Sequence, residues 1–260
     1  MYETLEILRD GPVATVWMNR PERHNAFNEQ VIDDLSRGFA ELTDDAAVRV
    51  IVLAGRGKSF SAGADLAAMK AAGEAGFDEN FAAARKMAEM LRVIAECPKP
   101  TIARVQGAAL GGGLGLAAAC DICVASTVAS FATTEVKFGI TPATISPYVL
   151  RAIGPRQASR YFLTAERIDA RRAAEIGLVH EAVEPEQLDA AVARLAQTLA
   201  ANGPSALEAA KALIRDFAGR TIDEPVREDS ARRIATIRSS AEAREGLTAF
   251  LEKRAPRWTD

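Results

Sequence analysis

The sequence predicts a mixed α/β fold, and three observations predict it. Residues 48–54, VRVIVLA, make a near-continuous apolar run of the kind found in a sheet covered on both faces. A strand, a turn and a helix recur near residues 13–42, 48–95 and 101–119, without sequence identity between the copies. From residue 185 onward the pattern is helical throughout. Periodicity alone establishes this class and no finer architecture.

In chain order, residues 4–8 and 13–18 read as two strands joined by a turn at Asp10-Gly11-Pro12. Residues 19–26 are polar and contain Pro21, which makes them a loop. Asn28 caps a helix running to about Leu42, with Val31, Ile32, Leu35, Phe39 and Leu42 on one face. The apolar strand at 48–54 ends in a glycine turn at 60–66, and a helix begins near Asp65. Residues 67–84 are rich in alanine with few large apolar anchors, and read as a mobile flap. A helix over 85–95 turns Met87, Met90, Leu91 and Ile94 inward, and Pro98 and Pro100 stop it. The strand TIARV at 101–105 follows, then a glycine turn, an apolar helix ending at Cys120-Asp121, and a strand at 122–125. Ser146 caps a helix through Ile153, and Gly154-Pro155 opens another over 156–163. A short helix at 169–176 stops at Gly177. A short strand at 179–183 carries His180, in a structural role. Helices at 185–201, 204–218, 223–239 and 241–253 complete the chain. The composition shift divides it into a core, 1–184, and a helical region, 185–260.

At 260 residues the chain can bury a sizeable core, and 48% hydrophobic with 26% charged residues is ordinary for a globular protein. A net charge of −3 argues against a nucleic-acid partner, so Arg171-Arg172 and Arg232-Arg233 read as solvated helix faces. Cys97, Cys120 and Cys123 make no disulfide framework, which points to reduced thiols and a cytoplasmic setting. Cys120 and Cys123 have CxxC spacing, yet there is no second pair and only two histidines, so no metal site is expected. The opening MYETLEILRDGPVATV lacks the pattern of a signal or transit peptide, and no apolar run is long enough for a bilayer.

The chemistry centres on residues 107–121, GAALGGGLGLAAACD. Each glycine in a helix costs about 1 kcal/mol relative to alanine, so three at a helix start serve another purpose. Glycine lets a backbone approach a ligand closely, and a helix N-terminus offers unpaired N–H groups at the positive end of its dipole. Residues 58–65, KSFSAGAD, are a second small-residue turn after a strand. Two such turns can aim one N–H each at a single oxygen, forming an oxyanion hole from backbone alone.

RPERHNAFN at 20–28, FSAGADL at 60–66, VQGAALGGGLGLAAACDICVAS at 105–126 and FATTEVKFGITP at 131–142 resemble the crotonase (enoyl-CoA hydratase/isomerase) family. The resemblance extends to the final FLEKRAPRW. It implies a spiral of ββα units with a C-terminal helical region for trimerisation, assembling as a homotrimer or a dimer of trimers. It implies an acyl-CoA thioester as substrate, with coenzyme A arriving as part of it and no separate cofactor. Carried over by motif, the oxyanion donors are the N–H groups of Ala62 and Gly112, with Gly111 beside them, and Glu135 is the catalytic acid–base. Apolar Phe131, Phe138 and Ile140 near Glu135 would raise its pKa by desolvation. The same motifs assign Arg23, His24, Ala26, Ala64, Asp65 and Leu66 to the coenzyme A pocket. Pro142 belongs to the substrate site, and the Lys253-Arg254 pair either reaches the CoA phosphates, from a neighbouring subunit, or is a surface charge pair. Met69, Phe77 and Phe81 line either the acyl channel or the core.

One departure matters. Hydratases of the family carry a second glutamate two residues after GGG, where this chain has Gly115. A single carboxylate favours the family's double-bond isomerases. Against this, GLGLAAACD, FATTEVKFGITPATISPYVLRAIG and RYFLTAERIDA resemble bacterial hydratases of branched, carboxylated substrates such as 3-methylglutaconyl-CoA. Such a substrate calls for a cation, and Arg85, Lys137 and Arg151 are the candidates. Three functions therefore stand: an enoyl-CoA hydratase, an enoyl-CoA isomerase moving a double bond between positions 3 and 2, and a CoA-ester binding protein without turnover.

Overall fold

The computed structural model describes residues 2–259. Strands β1 (Leu5–Asp10) and β2 (Val13–Met18) form an antiparallel pair, from Leu5 opposite Met18 to Asp10 opposite Val13. Every later join in this sheet is parallel. Next to β2 come β3 (Val50–Gly55) and β4 (Thr101–Val105). Skipping β5 (Ala108–Leu110), the sheet continues with β6 (Ile122–Ser126) and, at its edge, β9 (Glu181–Val183). Strand β5 instead joins β7 (Ser130–Ala132) and β8 (Ile168–Asp169) in a second, three-stranded sheet.

Alternation along the parallel strands sorts the core into two layers. Ile51, Leu53, Ala103, Val105, Cys123 and Ala125 face one way. They join a cluster with α1 (Glu29–Asp44), α3 (Phe77–Ala95), α4 (Gly112–Ala119) and both halves of α5 (Ser146–Thr164). Val50, Val52, Ile102 and Val124 face the other way, onto Leu188, Ala191, Val192 and Ala196 of α7 (Leu188–Ala201). Both faces are thus dry, which explains the unbroken apolar run in β3. Each valine, leucine or isoleucine so buried stabilises the fold by about 1.5–3 kcal/mol.

Several elements differ from the sequence reading. Residues 67–84 are mostly helical, which the sequence reading did not expect. They form α2 (Leu66–Glu74) and the first turns of α3, with Gly76 as N-cap and Glu79 accepting from the Gly76 N–H at 3.2 Å. Leu66, Phe77 and Phe81 are exposed there, and the two phenylalanine rings stack 5.9 Å apart. Ser146 is the first helical residue of α5 rather than its cap. The predicted break at Gly154 is present, with φ +70° inside the continuous span. His180 precedes β9 instead of lying in it, and its Nδ1 accepts from the Cys123 N–H at 3.1 Å.

The remaining helices are α6 (Ala170–Glu175), α8 (Pro204–Phe217), α9 (Glu224–Arg238) and α10 (Ala241–Glu252). The last three leave large apolar side chains exposed, among them Ile214, Ile234, Leu247, Phe250 and Leu251. Cys97, Cys120 and Cys123 are buried free thiols, and burial raises Cys123 to about 12, which keeps it an unreactive thiol. Among the described residues no helix is long and apolar enough to cross a membrane.

The N-terminal hairpin is pinned by a buried carboxylate. Asp34 Oδ2 accepts from the Thr4 N–H at 2.9 Å, the Thr4 hydroxyl at 2.9 Å and the Glu3 N–H at 3.1 Å. Its Oδ1 accepts from Gln30 and Arg37. Burial alone would raise the Asp34 pKa, but hydrogen bonds from Thr4, Gln30 and Glu3 outweigh it and hold the carboxyl below its ordinary value. A depressed carboxylate contributes stability above its unfolded pKa and loses it as pH falls through the folded one. Asp34→Ala is expected to cost about 2–4 kcal/mol at neutral pH. The loss should shrink as the pH is lowered below about 4, the ordinary carboxylate range. Urea unfolding of both proteins at neutral and acid pH checks the sign.

Candidate active site

Because β3 and β4 are parallel, the chain leaves both at the same edge of the sheet, the edge where α/β folds place ligands. Three segments are bound together there by backbone hydrogen bonds. Phe27 pairs with Ala64, and Ser61 pairs with Ala109. The Phe27 N–H donates to Gly63 O at 2.7 Å and the Asp65 N–H to Phe27 O at 2.8 Å. On the other side, the Ser61 N–H donates to Ala108 O at 3.0 Å and the Leu110 N–H to Ser61 O at 2.9 Å. The glycines are what permit this approach. Gly63 has φ +88°, and a Cβ on it would sit 2.8 Å from Leu110 O; one on Gly113 would sit 2.5 Å from Ser61 O.

This pattern decides which amides are free, and it corrects the assignment of Ala62. The Ala62 N–H donates to His24 O at 2.9 Å, so it is already satisfied inside the protein. The Gly63 N–H points to Ser61 Oγ at 3.3 Å. Two residues along from Ala62, the N–H of exposed Ala64 finds no acceptor among the described residues. In the second turn, the Gly111 N–H donates to Ala132 O at 2.8 Å. The N–H of Gly112, the first residue of α4, has no acceptor among the described residues, as helix geometry requires. The unpaired pair is therefore Ala64 and Gly112. Sequence could not separate Ala62 from Ala64: both are alanines beside Gly63, and only the His24 carbonyl distinguishes them.

Glu135 comes to the same place through the small sheet. Strand β7 runs parallel to β5, Ala132 opposite Leu110, and three residues later Glu135 opens a 3-10 turn, Glu135–Phe138. A Cβ on Gly111, which has φ +50°, would lie 3.1 Å from Glu135 Oε1. Oε2 is buried and has no hydrogen-bond partner among the described residues. Burial holds this carboxyl above the ordinary glutamate range, and the backbone N–H groups of Glu135 and Thr134 oppose that only in part. A half-buried carboxyl with one unpaired oxygen and a raised pKa is the profile of a proton-transfer group.

The remaining predicted residues divide. Exposed His24 supplies its carbonyl to Ala62, and its Nδ1 lies 3.1 Å from Ser59 Oγ. Exposed Arg23 ends a 3-10 turn, and the O of buried Ala26 accepts from Arg20 Nη1 at 2.7 Å. Asp65 caps α2 and pairs with Arg20 at 3.2 Å, while Leu66 is exposed at the helix start. Pro142 is buried and its O accepts from the Ser146 N–H. Lys253 ends α10, and no hydrogen bond or ion pair joins it to these loops. Asn25 and Arg20 were missed. Asn25 is buried, and its side chain bonds to the Arg20 N–H, Arg56 O and Ser59 O. His24 and Asn25 both have positive φ, and those bonds hold the loop in that conformation. The polar, proline-containing stretch signalled a loop but not which polar residue organises it.

Gly115 is buried in α4, and Ile145 explains it. A Cβ at Gly115 would stand 2.2 Å from Ile145 Cγ2 and 2.8 Å from Ile145 Cβ. No side chain fits, so a glutamate introduced here alone cannot reach the site. Of the three cations considered for a substrate carboxylate, Arg151 lines a cavity of about 400 Å³ with Cys97, Cys120 and Asp121. That cavity lies at the opposite end of α4 from Gly112. Exposed Lys137 sits on Glu135's own turn. Gly115→Ala is expected to lower stability by about 1–3 kcal/mol through overpacking. Pairing it with Ile145→Ala should make the combined loss smaller than the sum of the two single losses; thermal unfolding of the three variants reads the coupling.

The sequence profile of the Enoyl-CoA hydratase/isomerase family matches residues 9–260. The crotonyl-CoA hydratase of Syntrophomonas wolfei is 35% identical over 255 residues, covering 97% of this chain and 96% of that protein. The short-chain-enoyl-CoA hydratase of Clostridium acetobutylicum is 34% identical over 252 residues, covering 95% and 94%. Among solved structures, an enoyl-CoA hydratase from Shewanella pealeana superposes with a TM-score of 0.96 at 40% identity, covering 99% of this chain and 97% of its own. By sequence over nearly its whole length and by fold, the chain belongs to the enoyl-CoA hydratase/isomerase family, the crotonases.

Proposed function

We propose that the protein is an enoyl-CoA hydratase that adds water across the Cα=Cβ bond of a 2-enoyl-CoA thioester. The observation that carries the reading is that three groups without partners among the described residues lie on adjoining segments: the Ala64 N–H, the Gly112 N–H and Glu135 Oε2. The amides serve the thioester oxygen. As negative charge develops there, both hydrogen bonds strengthen, and each such donor is worth about 3 kcal/mol of barrier. Glu135 serves the adjacent carbon, exchanging the proton that separates enolate from product. The hydratases named above, of similar length throughout, support addition of water over double-bond movement.

The substrate we favour is a branched, carboxylated enoyl-CoA such as 3-methylglutaconyl-CoA, with Lys137 the cation for its free carboxylate. We also propose a trimer, or a dimer of trimers, in which the exposed apolar side chains of α8 to α10 meet neighbouring subunits.

The test is turnover of a panel of 2-enoyl-CoAs in ¹⁸O-water. Loss of the conjugated thioester absorbance with one solvent oxygen in the product is the expected outcome. A product of unchanged mass with a moved double bond would overturn hydration. Glu135→Gln should lower kcat by about 10²–10⁴-fold; unchanged turnover would remove Glu135 from the chemistry. If Glu135 acts as base, kcat/KM rises with pH through its raised pKa, so the acid limb should lie above the ordinary value of 4.5 and vanish in Glu135→Gln.

A further inference from the structure

We propose that the Thr134 hydroxyl holds the attacking water, in the role that a second carboxylate would otherwise fill. This rests on the hydratase reading. Gly115 cannot carry that carboxylate, because Ile145 occupies the space. The group that orients water must come from elsewhere in the site. Thr134 stands beside Glu135 at the start of its turn, with φ −93° and ψ −5°. From the Cβ position of Gly111, Glu135 Oε1 is 3.1 Å away and Thr134 Oγ1 is 3.9 Å away, so both line the same glycine. The two neighbouring threonines are used differently. Buried Thr133 donates its hydroxyl to Tyr161 O at 3.0 Å, which ties the turn to α5. Half-buried Thr134 makes no side-chain hydrogen bond among the described residues.

A hydroxyl has one donor and two acceptor positions, so it can fix a water that is simultaneously giving a proton to a carboxylate. Water would sit between Thr134 Oγ1 and Glu135. Its oxygen bonds to Cβ of the enoyl group while one of its protons passes to Glu135. The electron pair of the Cα=Cβ bond moves onto the thioester oxygen, held by the Ala64 and Gly112 amides. When that enolate collapses, Glu135 returns the proton to Cα. The added hydrogen and hydroxyl then come from one water, and Glu135 ends in its starting state. Thr134 is never ionised; it touches only the water.

Thr134→Val keeps the shape and removes the hydroxyl, while Thr134→Ser keeps the hydroxyl. Two activities are measured on each: hydration in ¹⁸O-water, and exchange of the Cα hydrogen of a saturated acyl-CoA with deuterium from solvent. Exchange needs Glu135 and the two amides but no nucleophilic water. Thr134→Val is expected to lose about tenfold in hydration kcat, with KM and exchange within about twofold, and Thr134→Ser to stay within about threefold for both activities. Wild-type hydration by Thr134→Val would overturn the proposal. So would equal loss of exchange and hydration, or a Thr134→Ser variant as impaired as Thr134→Val. Failure of the hydratase reading looks different: the wild-type protein itself would then incorporate no labelled oxygen.

Discussion

The hydrogen bond from the Ala62 N–H to His24 O organises the site. It fixes the FSAGAD turn against the 20–28 loop and removes one amide from the chemistry. With Phe27 claiming Gly63 O and the Asp65 N–H, the turn is satisfied on both sides except at Ala64. An unpaired backbone N–H costs free energy unless something accepts from it. Here the fold leaves one in each of two adjoining turns, both beside an edge where parallel strands end. Preorganisation of this kind requires no rearrangement when charge develops on a bound oxygen.

Packing below that site constrains the acid–base chemistry. Ile145 pressed onto Gly115 closes α4 to any side chain at that position, and both residues are buried. The usual place for a second carboxylate is therefore apolar. One consequence is electrostatic. A second carboxylate near Glu135 would raise its pKa by like-charge repulsion, whereas here desolvation is the main cause of the shift. Another is geometric. At that position α4 supplies no polar side chain, whereas the turn that carries Glu135 brings Thr134 beside Gly111.

Much of the fold was legible in the sequence, and what was not has physical reasons. The two-sided sheet announced itself through β3, whose residues are all buried. Asn28 does cap α1, with Val31, Leu35, Phe39 and Leu42 buried beneath it. The small sheet was missed because β5 and β7 have three residues each and β8 two, too few to show a period. Residues 67–84 misled for a different reason. Alanine favours a helix intrinsically, and with the Gly76–Glu79 box it forms one here even though α2 buries no side chain. At the site, residue identity marked Glu135, Gly111 and Gly112. It could not assign a function to a backbone amide, since the choice between Ala62 and Ala64 depends on a carbonyl some forty residues earlier in the chain. Ile145 was likewise invisible as the partner of Gly115, because a packing contact across thirty residues leaves no local pattern.

The two sheets divide the labour in a way that follows from their connections. The large sheet is clamped between two apolar layers, so β3 and β4 present their ends at fixed spacing. The Ala64 amide lies in the loop that follows β3, whereas Gly112 comes just after β5 of the small sheet. Glu135 is placed by that same small sheet, through β7 lying alongside β5, and by Thr133 anchoring to Tyr161 O. The Ser61–Ala109 pairing brings the Ala64 turn to the same support, where Glu135 faces Gly111. A glycine with φ +50° is needed there because a side chain would be strained and would enter the space before Glu135. Without a side chain at Gly111, that space before Glu135 stays free.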